Sequence, residues 1–284
     1  MDPFDLPEGT LIRGKYAIQK LLGQGAHGDA YMCLDLLNNV YVAIKVQYLD
    51  HVTDTEGRSV TDPPLARQKI CPEINTLNML ASTGCAKYGP RLYEWFFEDI
   101  SGIPCAFIVE EYIAGPTLAQ LARSWPRTLM PLDLIYIIIG KLIDAVTCLH
   151  HHGIIHNDIH EENVIWFSPS GNPFDTYSDV KFIDFGASTY KGIRDICPDR
   201  FIYGATEQFE TVSVCRTIIH LLNLEELDSL YDDNDDLTYE QVDRYVPPSL
   251  GIFNHNVVVN IIATGIGQDH NMFRLYYIYH SSQA

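Results

Sequence analysis

The chain has 284 residues, 46% of them hydrophobic, enough to bury the core of one large domain or of two fused lobes. Lys and Arg number 19 against 37 Asp and Glu, and the net charge of -18 repels nucleic acid and anionic membrane surfaces, leaving basic peptides or proteins as better-matched partners. The start, Met-Asp-Pro-Phe-Asp, lacks the pattern of a secretory signal, and the most apolar run, Leu129 to Ile143, is interrupted by Pro131, Asp133, Gly140 and Lys141, so no membrane insertion is expected. Seven cysteines (Cys33, Cys71, Cys85, Cys105, Cys148, Cys197, Cys215) form no Cys-x-x-Cys pairs. Their odd number argues against a closed disulfide framework and for a reducing, intracellular setting, cytoplasm or nucleus.

Residues 1–15 read as an N-terminal extension. From Tyr16 to Val46, strand-like alternation around a glycine cluster predicts a small antiparallel sheet. Residues 50–64 are polar and read as a loop. A helix is expected after Pro72, with that proline in its first turn and Glu73, Leu77 and Leu80 on one face. Leu92 to Phe97 and Cys105 to Tyr112 read as strands, and Gly115-Pro116 marks the boundary between a first lobe with its connector, 16–114, and a second, 115–284. Leu134 to His151 carries a wide apolar helical stripe, with His150 to His152 as a solvated helix end. Two short strands follow, Asn163 to Phe167 and Val180 to Ile183, then a helix from Glu210 to Leu222. Residues 224–284 include an acidic patch, Asp232 to Asp236, and an apolar segment without a clear assignment.

Three features support one another in the first lobe. Gly23, Gly25 and Gly28 lie between two strands, where missing side chains let backbone amides approach phosphate oxygens. Lys45 ends the strand Val-Ala-Ile-Lys, and Glu73 on the following helix can pair with it and hold the ammonium against phosphates. In the second lobe, His156-Asn-Asp158-Ile-His160-Glu-Glu-Asn163 precedes Asp184-Phe185-Gly186. Asp158 suits the orientation of an incoming hydroxyl, and Asn163 and Asp184 offer the hard oxygen donors that Mg²⁺ prefers.

In this order the motifs resemble those of the eukaryotic protein kinase family. The resemblance implies an α+β bilobal fold, with a small antiparallel-sheet lobe and a mainly helical, shortened second lobe. It implies ATP and Mg²⁺ as cofactors and transfer of the γ-phosphoryl group to Ser/Thr hydroxyls of protein substrates. By the same likeness Gly23, Gly25 and Gly28 cover the phosphates, Lys45 contacts the α/β-phosphates and Glu73 pairs with it. Ala43 and Ile165 sandwich the adenine, Glu111 to Ile113 form the hinge, Asp158 is the catalytic base, and Asn163 and Asp184 bind metal. His156, Phe185, Leu77 and Leu92 would form a core column.

Several residues depart from the family pattern. Asn157 replaces the arginine that receives an activation-loop phosphate, so activity without loop phosphorylation is expected. His160 stands where a lysine usually meets the γ-phosphate, which predicts slow turnover. Thr206 replaces the proline of the segment Tyr203 to Glu207, Glu210 replaces an aspartate, and Glu110 places an acid at the back of the adenine pocket. Two other readings are a pseudokinase that binds nucleotide without transfer and a small-molecule kinase of related fold.

Overall fold

The computed structural model describes residues 6–25, 28–49, 63–125, 130–190, 206–224, 226–227, 229–230, 237–250, 252–266 and 271–283. The expected loop, for its residues 50–62, the acidic patch Asp232 to Asp236 and the segment Tyr203 to Ala205 lie outside them. The described residues divide into two compact units, one of 6–82 and 90–113, the other of 83–89 and 114–283.

The first unit is built on a six-stranded sheet whose strands are β1 (Leu11–Ile12), β2 (Tyr16–Gly25), β3 (Gly28–Asp35), β4 (Val40–Tyr48), β5 (Leu92–Ile100) and β6 (Ile103–Glu111). Their order is β1-β2-β3-β4-β6-β5, and every neighbouring pair is antiparallel. Strict alternation in β3 turns Tyr31 and Cys33 inward, where they meet Ile18, Val42, Ile44, Val46 and the stacked rings of Phe96 and Phe107, 4.9 Å apart. Ser101 and Gly102 join β5 to β6 in a two-residue turn with both φ angles positive, the geometry that matches strand twist. Helix α1 runs from Pro63 to Ala81, so it begins nine residues before Pro72, which lies inside it rather than in its first turn. Ile74 on α1 packs with Leu49, Ala106 and Ile108, so the helix is held by tertiary burial despite the donor its proline lacks.

The second unit is mainly helical. Its elements are α2 (Leu118–Arg123), α3 (Leu132–His151), β7 (Ile154–Ile155), β8 (Val164–Phe167), β9 (Asp179–Phe182), β10 (Thr189–Tyr190), α4 (Glu207–Leu221), α5 (Tyr239–Tyr245), α6 (Ile252–Ile266) and α7 (Met272–Ser281). The stripe on α3 is fully buried at Leu134, Ile135, Ile138, Ile139, Leu142, Ile143, Val146 and Leu149. Gly140 makes room on α3 for the Tyr279 ring of α7, since a Cβ there would stand 2.2 Å from it, and Gly265 of α6 does the same for Cys215 of α4. The segment 224–284, without a clear assignment in the sequence, thus supplies helices that complete this unit's core. Two small antiparallel pairs, β7 with β10 and β8 with β9, carry the loops that matter below.

The cysteine expectation needs correction. Cys85 and Cys148 form a disulfide, bridging 63 residues of sequence inside the second unit, while Cys33, Cys105 and Cys215 are buried and outside any disulfide. An odd cysteine count excludes complete pairing, not a single bridge. Among the described residues no helix is long and apolar enough to cross a membrane.

Candidate functional site

In the sheet unit, β4 pairs with both β3 and β6, so Ala43 and Lys45 lie on a central strand, opposite Met32 and Ala30 on one side and Glu110 and Ile108 on the other. Lys45 Nζ is 3.1 Å from each carboxylate oxygen of Glu73, and Gln47 donates a third bond to the same carboxylate at 3.0 Å. The Glu73 side chain is 2% exposed and that of Lys45 14%, so the ammonium is fixed by a largely desolvated fork. This is the pair expected from the sequence. Gly23 and Gly25 lie at the end of β2 and Gly28 opens β3, with Gly25 opposite Gly28. Gly28 is demanded by its own sheet, since its φ is +133° and a Cβ would fall 1.9 Å from the Val46 carbonyl oxygen, whereas a Cβ at Gly23 would meet nothing within 4 Å. Glu111 ends β6, where its amide donates to the Arg91 carbonyl at 2.8 Å and its carboxylate accepts from the Arg91 amide at 3.3 Å. Ile113 beyond it is buried.

In the helical unit, the β8–β9 hairpin brings the two candidate metal ligands together. Asn163 immediately precedes β8, Asp184 follows β9 by two residues, and the Ile183 amide donates to the Asn163 carbonyl at 3.0 Å. Asn163 Nδ2 donates to both the backbone oxygen and the carboxylate of Asp158, at 3.0 and 2.9 Å. The Asp158 carboxylate is 49% exposed and therefore open to a substrate while its direction is set by Asn163. His160 Nε2 lies 3.8 Å from the same carboxylate, and its Nδ1 accepts from the Glu162 amide at 3.3 Å, which orients the imidazole. Asp184 has φ +61°, one of the few conformations of this kind an aspartate tolerates, and accepts from the Gly186 amide at 3.2 Å. Ile165 is buried in β8, bridged to Thr117. His156 is completely buried against Phe185, ring centres 4.6 Å apart, with its Nε2 3.0 Å from the Ile183 carbonyl. Burial holds its pKa below the ordinary histidine value.

A further group, missed from the sequence as a unit, anchors this loop. Glu210 of α4 is fully buried, accepts from the Asn157 amide at 2.7 Å and lies 2.5 Å from His150 Nε2. His150 is therefore an interior residue, not part of a solvated helix end, because its partner comes from a helix sixty residues later. Asn157, singled out for the arginine it replaces, has φ +66°, a left-handed conformation to which asparagine is suited. The sequence signal available was the acid at Glu210 at the start of a helix, seen there only as a substitution for aspartate.

A family profile described as the protein kinase domain matches residues 16–195. Among curated proteins, the chain is similar to MAP3K epsilon protein kinase 1 of Brassica napus, 24% identical over 208 residues, which cover 72% of this chain and 14% of that protein. A probable serine/threonine-protein kinase of Dictyostelium discoideum is 26% identical over 192 residues, 68% of this chain and 36% of its own. The serine/threonine-protein kinase YabT of Bacillus subtilis is 27% identical over 197 residues, 66% of this chain and 48% of its own. The chain thus spans less than half the length of each of these relatives. With the antiparallel-sheet unit, the helical unit and the ordered motifs all present, this chain belongs to the protein kinase family.

Proposed function

We propose that the chain transfers the γ-phosphoryl group of ATP, with Mg²⁺, to Ser/Thr hydroxyls of protein substrates. The observation that carries this reading is the half-exposed Asp158 carboxylate, held by Asn163 at 2.9 Å in a loop whose next strand pair presents Asp184. Asp158 orients the substrate hydroxyl and takes its proton as the oxygen attacks phosphorus. Lys45, steadied by Glu73, meets the α/β-phosphates, with Gly23, Gly25 and Gly28 over them. Ala43, Ile165 and the Glu111 to Ile113 backbone hold the adenine. The carboxylate of Asp184 and the amide oxygen of Asn163 are hard donors of the kind Mg²⁺ takes, so the residues fit the ion. Mg²⁺, when bound, neutralises charge on the phosphates. Basic protein substrates suit the net charge of -18, and an intracellular location, cytoplasm or nucleus, belongs to the same reading.

A second reading, nucleotide binding with little transfer, draws on His160: an oriented imidazole beside Asp158 stands where a lysine would bring a permanent charge. One assay separates the two. Purified protein is incubated with γ-labelled ATP and Mg²⁺, with and without basic substrate proteins, beside an Asp184→Ala control. Label should enter protein in the wild type and fall by on the order of 10³ in the control. Label that persists in the control removes this site, and nucleotide binding without label supports the second reading.

A further inference from the structure

Cys85, Cys148 and His152 come together in the helical unit, and none of them belongs to the proposed phosphoryl-transfer set. Cys148 and His152 are four residues apart at the C-terminal end of α3, so their side chains share a helix face. Cys85 reaches them from the position just before the short 3-10 turn Ala86–Tyr88. Its Sγ lies 3.2 Å from His152 Nδ1, and one donor atom from each of the three side chains lies within 4.8 Å of the others. Cys85 is buried, while Cys148 and His152 are partly exposed, so the cluster has one face toward solvent.

Two thiolates and an imidazole are a donor set suited to Zn²⁺. Zn–S bonds of about 2.3 Å and Zn–N bonds of about 2.0–2.1 Å place tetrahedral donor pairs roughly 3.5–3.8 Å apart. The cluster reaches that geometry by small side-chain movements once the sulfurs are separated. We propose that the reduced chain binds one Zn²⁺ through Cys85, Cys148 and His152, with water as the fourth ligand, and that the disulfide is the metal-free form of the same site. The chemistry balances with a dithiol as reductant: the dithiol passes two electrons and two protons to the Cys85–Cys148 bond and closes its own disulfide, leaving two protein thiols. Zinc then displaces both thiol protons to solvent. His152 Nδ1 now lies 2.9 Å from the Cys148 carbonyl, so ligation requires that hydrogen bond to break and the ring proton to reside on Nε2.

The test uses the full chain and zinc alone as the probe. Protein is reduced anaerobically with a dithiol, its fold is followed by circular dichroism, and bound zinc is counted after gel filtration. Site-resolved alkylation by mass spectrometry then compares the metal-loaded and metal-free chains. One zinc per reduced chain is expected, none per oxidised chain, with both Cys85 and Cys148 protected from alkylation. Burial pushes the thiols of Cys33 and Cys215 up to about 12, so these two alkylate slowly in both states, and the site-resolved readout separates every other thiol from Cys85 and Cys148. Changes to residues that only support zinc ligands cost about 10–100-fold in affinity, so Cys148→Ser and His152→Ala should each weaken binding by on the order of a hundredfold or more. Where either variant fails to fold, the wild-type alkylation pattern decides. A folded, reduced chain whose two thiols react freely in excess zinc overturns the proposal. So do equal uptake by the oxidised chain, zinc bound without protection of these two cysteines, and loss of the fold on reduction.

Discussion

Both units contain a desolvated carboxylate at the heart of a polar group, and the two are used on different targets. In the sheet unit, Glu73 holds a side chain, with Lys45 and Gln47 donating from a strand to a helix. In the helical unit, Glu210 holds a main chain, the Asn157 amide next to Asp158, and shares it with His150 of α3. The first arrangement fixes a charge but depends on where α1 lies along β4, so a shift of that helix would release it. The second ties α3, the loop and α4 together through a residue with no exposed surface, and its loss removes the loop's support. One carboxylate thus tunes a charge, and the other is part of the frame.

The sharpest break of this comparison is Glu210→Ala. It leaves two buried donors, the Asn157 amide and His150 Nε2–H, without their acceptor. At about 1–3 kcal/mol for each stranded group, stability should fall by about 2–6 kcal/mol. Urea denaturation followed by circular dichroism measures it. A loss below about 1 kcal/mol would mean that water or a rearranged loop satisfies both groups and that Glu210 is no frame residue.

The same contrast explains what could be read from residue order. Lys45 and Glu73 were legible because the strand and helix that carry them announce themselves by local periodicity, and their charges are complementary. Strand β5 was expected to end at Phe97 and runs to Ile100, because the Ser101-Gly102 turn sustains pairing to its tip. Pro72 misled the start of α1, since a proline suits a first turn and nothing local shows that a helix continues behind it. His150 and the Cys85–Cys148 bridge were not legible at all. Their partners are 60 and 63 residues away in sequence, so a triplet of histidines looks solvated and scattered cysteines look unpaired until the chain is folded. Asn157 is a different case: its identity reads as a missing cation, and only its positive φ supplies a local reason for asparagine.

A functional change of intermediate size is expected at His160. Replacing His160 with lysine brings a permanent charge next to Asp158, where the imidazole now stands 3.8 Å away. A charged hydrogen bond made to the transferring group contributes about 1.5–3 kcal/mol, or roughly ten- to a hundredfold in kcat. Steady-state kinetics of His160→Lys should show that gain with KM for ATP little changed. An unchanged or lower kcat would mean that His160 is already matched to this site.

A third carboxylate, Glu94 on β5, gives the smallest effect and a contrast with the two buried ones. Lys15 donates to it at 2.8 Å and the Tyr16 hydroxyl donates to it as well. Those bonds, the lysine's first, hold the Glu94 carboxyl below its ordinary value, while burial and the same carboxylate push the Tyr16 hydroxyl up to about 12. A carboxyl depressed in the folded state stabilises the protein above its unfolded pKa, about 4.3, and loses that contribution as pH falls through the folded value. The side chains of Lys15 and Glu94 are 27% and 35% exposed, so solvent screening keeps the pair to less than about 1 kcal/mol. Glu94→Gln should therefore be slightly less stable than the wild type from neutral pH down to about pH 5, and the gap should narrow progressively as pH falls further, through the depressed folded-state value. Paired urea melts across that range read the difference directly. A gap that widens in acid would reverse the sign and show that Glu94 is held protonated, the opposite of what its two donors impose.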